Sequence, residues 1–251
     1  MDLNRLRALL DREAKERNRC DEISLARPDP LLVAQKTKSD LGALICALFS
    51  YGSAKQIVTF LETLDFSLLA QTPQSIQNAP FGVYRFQNSE DVRQLFLALS
   101  TLDDSPQALR SIFLEGHKKG GILEGIKTMQ RAILERSGGY QSSGFRFLIG
   151  NPEAHQSPLK RWNMFLRWMI RKDCLDLGWW EGVILKSELI LPLDTHTFAL
   201  CKKLKIIQRQ SYDLKAAIEA TEFLKKLDPH DPIKYDFALY RLGQERRELG
   251  D

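Results

Sequence analysis

The sequence predicts an all-α fold, and three observations carry that expectation. Apolar residues recur at the 3.6-residue helical period in one segment after another, alternating β patterns are scarce, and the connections are short and rich in Asp, Pro, Gly and Ser. Together they imply roughly ten or more helices, with no internal repeat and no low-complexity segment.

Taken in order, Ser39-Asp40 can cap a helix whose apolar residues are Leu41, Leu44, Ile45, Leu48 and Phe49, stopped near Tyr51-Gly52. Helices are expected next over 55–64, 67–76, 89–99, 106–113 and 122–134. Residues 137–157, SGGYQSSGFRFLIGNPEAHQS, form the longest irregular stretch; their glycines and serines suit a loop that approaches something closely. Four more helices follow, over about 158–171, 195–205, 212–226 and 232–243.

The chain of 251 residues is long enough for one large domain or two lobes, and its 43% hydrophobic and 27% charged residues are ordinary for a globular protein. No apolar run approaches the roughly 18–20 residues that cross a bilayer. The N-terminal segment MDLNRLRALLDREAKERN has no apolar signal core, so a cytoplasmic location is expected. Cys20, Cys46, Cys174 and Cys201 are scattered, without CxxC or any zinc or iron–sulfur spacing, and are expected to be reduced and partly buried. A net charge of +4 is mildly basic, and its position matters more than its size. Basic side chains gather at 117–119, 160–161, 167, 171–172, 202–205 and 225–226, a pattern that solvated helix faces alone would also produce.

The stretch SPLKRWNMFLRWMIRK, residues 157–172, mixes three bulky aromatics with basic side chains. Ser157-Pro158 signals a helix start. Trp162, Phe165, Leu166 and Met169 then fall on one buried stripe, while Lys160, Asn163, Arg167 and Arg171 run along another face. Lys160 occupies the first turn, where the helix dipole disfavours a protonated amine by about 0.3–1 kcal/mol. Partial burial in that field would lower its pKa, as an amine nucleophile requires, whereas a solvated surface lysine would need nothing of the kind. In LPLDTHTFALCKKLKI, residues 191–206, Asp194 has the form of an N-cap, with Phe198, Cys201 and Leu204 facing inward.

KRWNMFLRWMI followed by PLDTHTFALCKKL resembles the helix-hairpin-helix DNA glycosylase superfamily, the group of endonuclease III and the 8-oxoguanine glycosylases. There a helix opens on a lysine, often as KTANVVL, and a VDTH-type segment follows. Lys160 and Asn163 align with the first motif, and Leu193-Asp194-Thr195-His196 with the second. The separation of 34 positions between Lys160 and Asp194 is longer than in endonuclease III, and the intervening CLDLGWWEGVILKSELI is similar to the archaeal 8-oxoguanine glycosylase branch. The string DLGWW…LILPLDTH…DPIKYDFALYRLG also looks like an uncharacterised bacterial family attached to that superfamily. The likeness covers about 145–244, and more weakly 38–60. It departs at the Gly-Val-Gly phosphate hairpin, replaced by HQSPLK, and in lacking the C-terminal cluster cysteines of endonuclease III.

The resemblance implies a two-lobed fold, with a helical barrel over 38–172 and a second lobe from 1–37 plus 173–251. It implies a monomer acting on damaged double-stranded DNA near the nucleoid, without metal or cofactor or membrane, that removes an oxidised base, 8-oxoguanine first. Lys160 would attack the sugar C1′ and Asp194 would assist; β-elimination would add AP lyase activity. Asp236 and Tyr240, four apart on a late helix, would read the base, with Tyr51 and Gln56 as weaker candidates, while Arg161, Arg167 and His196 would contact DNA. Trp179-Trp180 could line the pocket or fill the core. The rival readings are a non-catalytic helical module that binds nucleic acid, and a glycosylase or lyase for another lesion.

Overall fold

A computed structural model describes residues 2–102, 107–154 and 156–248. Among these residues there are twelve α-helices, three short 3₁₀ helices and no strand, which makes the fold all-α. No helix is long and apolar enough to cross a membrane among the described residues.

The chain divides into two units, 23–154 and the discontinuous 1–22 plus 155–251. This moves the expected boundaries at 37/38 and 172/173. Residues 31–37 pack on the helix that follows them, and the helix carrying Lys160 spends its buried arginines on carboxylates from the C-terminal part of the chain.

Unit 23–154 contains α2 (Leu31–Thr37), α3 (Asp40–Leu48), α4 (Ala54–Leu61), α5 (Pro73–Asn78), α6 (Ser89–Ser100), α7 (Ala108–Arg136) and α8 (Ser143–Ile149). The α3 helix is its centre, buried continuously from Gly42 to Leu48. Side-chain caps start its helices: Ser39, as the sequence suggests, and beyond that reading Ser53, Thr72 and Asn88, the last in a reciprocal box with Asp91. Each such cap contributes on the order of 1 kcal/mol.

Three local expectations are corrected in this unit. The single helix over 67–76 is a 3₁₀ turn, Phe66–Ala70, and then α5; Thr72 caps the new helix and Pro73 opens it. The stretch 137–157 is not irregular throughout, because Ser142 caps α8 within it. The helices expected at 106–113 and 122–134 are longer and join in α7 across a break at Gly120 and Gly121, the latter at φ +69°. A Cβ at Gly125 would sit 2.5 Å from the Phe113 ring, so the two halves fold back on each other in close contact. The expected start at Pro106 lies outside the described residues.

Unit 1–22 plus 155–251 contains α1 (Leu3–Arg17), α9 (Lys160–Ile170), α10 (Thr195–Lys203), α11 (Leu214–Lys225) and α12 (Asp236–Glu248). The α12 helix packs against both α1 and α10, and the 3₁₀ turn before it, Pro232–Tyr235, packs on α11. Leu6 and Leu10 anchor the otherwise charged α1. After α9 the chain doubles back: the Leu177 and Gly178 N–H groups donate to the Trp168 carbonyl, and that of Trp180 to Met169, which satisfies the end of the helix.

The cysteine expectation is half corrected. Cys46 and Cys201 are free and buried, but Cys20 and Cys174 form a disulfide with a Cα–Cα distance of 4.7 Å. Asn18 Oδ1 accepts the Cys174 N–H at 3.1 Å, which brings the end of α1 beside the segment after α9.

Candidate functional site

Lys160 is the first residue of α9, and the way the chain reaches it is unusual. Ser157 and Pro158 do not cap the helix as expected; the cap position is Leu159, a non-glycine residue in the left-handed region at φ +53°. That conformation costs a branched apolar residue on the order of 1 kcal/mol or more, a strain that persists only where the surroundings over-determine it. Asn163 is one such determinant. It is buried, its Nδ2 donates to the Pro158 carbonyl at 3.0 Å, and its backbone N–H donates to the Leu159 carbonyl at 2.9 Å. Its Oδ1 is buried and has no hydrogen-bond partner among the described residues. His155, in the segment that replaces the phosphate hairpin, lies outside the described residues.

Asp194 caps α10 as the sequence indicates, its Oδ1 accepting from Thr197 N at 2.7 Å. Two contacts fix the approach to it. Tyr212 donates its hydroxyl to the Leu193 carbonyl at 2.9 Å, and the Leu191 N–H donates to Thr221 at 2.9 Å. Burial, helped by Asp194, pushes the Tyr212 phenol up to about 12, so it remains a donor through the neutral range.

Asp236, the first residue of α12, links the two. Its carboxyl is buried, and burial raises its pKa; Arg167 opposes that rise, while the charges of Asp194 and Lys160 both act on the same group, in opposite directions. Burial likewise raises the Cys201 thiol on α10, with Asp236 and Asp194 pushing it further. Lys160, Asp194 and Asp236 each stand at the start of a helix, and the charges of the first two bear on the third. His196 sits in the first turn of α10, where α12 comes close: a Cβ on Gly243 would be 3.6 Å from its carbonyl. Tyr240 is half-buried on α12, its hydroxyl accepting from Gln244 at 2.8 Å.

Two expected roles change. The polar face of α9 is internal rather than solvated. Arg167 is 5% exposed and donates to Asp176 at 2.9 Å and to Asp236 at 2.5 Å, while Arg171 is held by Asp173, Asp176 and Asp231. A guanidinium shared by two buried carboxylates is not available to phosphate, so Arg167 is a structural cation and not a DNA contact. By the same bond Asp236 is held away from a base, and its influence on Lys160 and Asp194 is electrostatic. Arg161, half-buried beside Lys160, keeps its place as a candidate DNA contact. Trp180 is core, packed edge-on against Phe165 at 5.3 Å, and Trp179 is exposed.

Tyr51 and Gln56 belong to the other unit, Tyr51 half-buried after α3 and Gln56 exposed in the first turn of α4. A cavity of about 390 Å³ lies beside the Arg167–Arg171 network between α1 and α12, but neither Lys160 nor Asp194 lines it. Its walls mix lysines and arginines with Asp11, Asp173, Asp176 and Asp231, and Arg167 and Arg171 are already committed to carboxylates of that lining.

Fold and site together define a two-unit helical protein with a lysine at the N-terminus of one helix and an aspartate at that of another. The chain belongs to the family described as proteins of unknown function DUF2400, whose model matches residues 29–245. No curated protein matches the chain, and no solved structure does.

Proposed function

We propose that the protein is a DNA glycosylase with AP lyase activity, removing an oxidised base, 8-oxoguanine first, through a Schiff base on Lys160. The observation that carries the reading is positional: Lys160 opens α9 and Asp194 caps α10, the two places that the resemblance gives to the nucleophile and its acid. A structural choice at the first position of a helix would be an acid, because the dipole there favours negative charge. A lysine in that place, reached through a strained Leu159, suits a group needed as a nucleophile.

In this mechanism the target nucleotide leaves the duplex stack and presents its sugar to the lysine. The Lys160 nitrogen lone pair attacks C1′, the C1′–N bond breaks, and the base departs with the bonding electrons and takes up a proton. The attached amine loses one proton, the C1′–O4′ bond breaks with its electrons and a proton going to O4′, and the remaining N–H makes the product a protonated Schiff base. Asp194 has one oxygen committed to the Thr197 N–H, and its other oxygen can stabilise positive charge on the sugar and carry protons. Loss of the C2′ proton then eliminates the 3′-phosphate and nicks the strand.

Borohydride trapping tests the reading directly, on duplexes containing 8-oxoguanine, an oxidised pyrimidine or an abasic site. A covalent adduct is expected with the native protein and none with Lys160→Ala. No adduct on any of these duplexes overturns the proposal, and an adduct that persists in Lys160→Ala moves the chemistry to another amine such as Lys172.

A further inference from the structure

Unit 23–154 carries an aromatic surface that its own packing does not account for. Phe86 is 62% exposed and Phe147 is 42% exposed, and both group with the half-buried Tyr51. The Tyr51 and Phe86 rings are nearly parallel at 4° with centroids 6.2 Å apart, and Phe147 stands edge-on to both, at 4.8 and 5.3 Å. The Arg85 guanidinium lies 5.9 Å from the Tyr51 ring and 5.6 Å from that of Phe86.

The supports beneath are rigid. Tyr84 and Gln87 exchange both backbone hydrogen bonds across a two-residue turn that projects Arg85 and Phe86, with Arg85 at φ +52°. Buried Tyr84 donates to the Tyr51 carbonyl at 2.6 Å, the Tyr51 hydroxyl donates to Gln87 Oε1, and Gln87 Nε2 donates to the Gly144 carbonyl at 2.9 Å. The rings are thus held in place before any ligand arrives, which reduces the ordering cost of binding.

Charge says what kind of ligand fits. The segments that build the surface, 50–56, 81–88 and 141–150, contain Lys55, Arg85 and Arg146, all exposed, and not one Asp or Glu. Asp91 lies behind these segments but is buried, so the exposed charges they carry are cations, and flat apolar rings with such charges match a polyanion that itself carries flat rings. We infer that this surface is a stacking platform for the unpaired bases of a nucleic-acid strand, with Phe86 and Tyr51 under the bases and Arg85 reaching the phosphates. Faces of paired bases are hidden in a duplex, so the ligand is a single strand or a locally opened one. The inference extends the nucleic-acid reading to a second site and stands without Lys160.

Fluorescence anisotropy of the full chain tests it, with labelled oligothymidylate and an equal-length strand of tetrahydrofuran abasic residues, which carry the same phosphates but no aldehyde for an amine to attack. The native protein should prefer the strand with bases. Phe86→Ala should weaken that strand by about tenfold while leaving the abasic one unchanged, as base–aromatic stacking predicts. Arg85→Gln should weaken both. Equal affinity of the native protein for the two strands, or native-like binding by Phe86→Ala, overturns the inference. So does self-association by light scattering that Phe86→Ala abolishes and oligothymidylate does not compete away, which would place a second copy on the surface. Loss of trapping with intact base-dependent binding would remove the lysine chemistry and leave the platform standing.

Discussion

Replacing Arg167 by Met tests how much of the fold depends on one buried cation. The guanidinium donates to Asp176 at 2.9 Å and to Asp236 at 2.5 Å, with side-chain exposures of 6%, 1% and 7% for the three groups. Without it, Asp176 keeps Arg171, but Asp236 is left as a buried carboxylate with no guanidinium partner. Breaking a buried pair by removing one member costs about 3–5 kcal/mol, because the remaining charge is desolvated and uncompensated. In the double variant Arg167→Met/Asp236→Leu both charges are gone, and most of that cost should return, giving a coupling of about 2–3 kcal/mol.

Equilibrium urea unfolding of the native protein, both single variants and the double variant supplies the cycle. Acid should narrow the deficit of Arg167→Met. The orphaned Asp236 titrates higher in the folded chain than in the unfolded one, so the folded state binds the extra proton and gains stability as pH falls towards the unfolded value. A loss below about 1 kcal/mol in Arg167→Met, or a double variant as unstable as the two single losses added together, would refute the reasoning.

Two further outcomes follow from close contacts elsewhere. Gly144→Ala should destabilise unit 23–154 by about 2–3 kcal/mol, read as a lower urea midpoint: the new Cβ would lie 2.6 Å from the Phe86 carbonyl and against Asp91, which the α6 capping box and Tyr140 hold in place. Asp228 accepts from His230 N at 2.9 Å, Asp231 N at 3.0 Å and Lys234 Nζ at 2.7 Å; partial burial opposes ionisation, but these donors outweigh it and hold the carboxyl down at about 2. Its folded pKa lies below the unfolded one, so its contribution is complete above about pH 4 and is lost as pH falls to about 2. Asp228→Asn should therefore cost about 1 kcal/mol at pH 7 and nothing measurable near pH 2, in urea melts at the two pH values.

The all-α class was legible because local signals repeat along the chain. Ser39, Asp194 and the apolar stripe of α9 needed only near neighbours to be read, and each stands where its pattern put it. What escaped depends on partners distant in sequence. Arg167 read as a DNA contact and Arg171 as part of a basic cluster because nothing near them announces Asp231 and Asp236, some sixty to seventy positions away. Tyr212 and Thr221, which fix the approach to Asp194, look like ordinary helix-flanking residues. The Ser157-Pro158 start signal was misleading because the chain enters α9 through Leu159 in a conformation that sequence statistics assign to glycine or asparagine. The aromatic platform was half visible: Tyr51 stood out, whereas Phe86 and Phe147 are exposed only because the turn at 84–87 and helix α8 carry them outward.

The bond between Cys20 and Cys174 encloses the whole of unit 23–154 within a single covalent ring of the chain. The short N-terminal piece and the long C-terminal piece of the other unit are thereby joined twice, once through the intervening unit and once directly. A backbone cut anywhere between 23 and 154 opens the ring without releasing α1 from α12. Lys160, Asp194 and Asp236 thus belong to a body that stays one molecule whatever happens to the strand of peptide linking its parts.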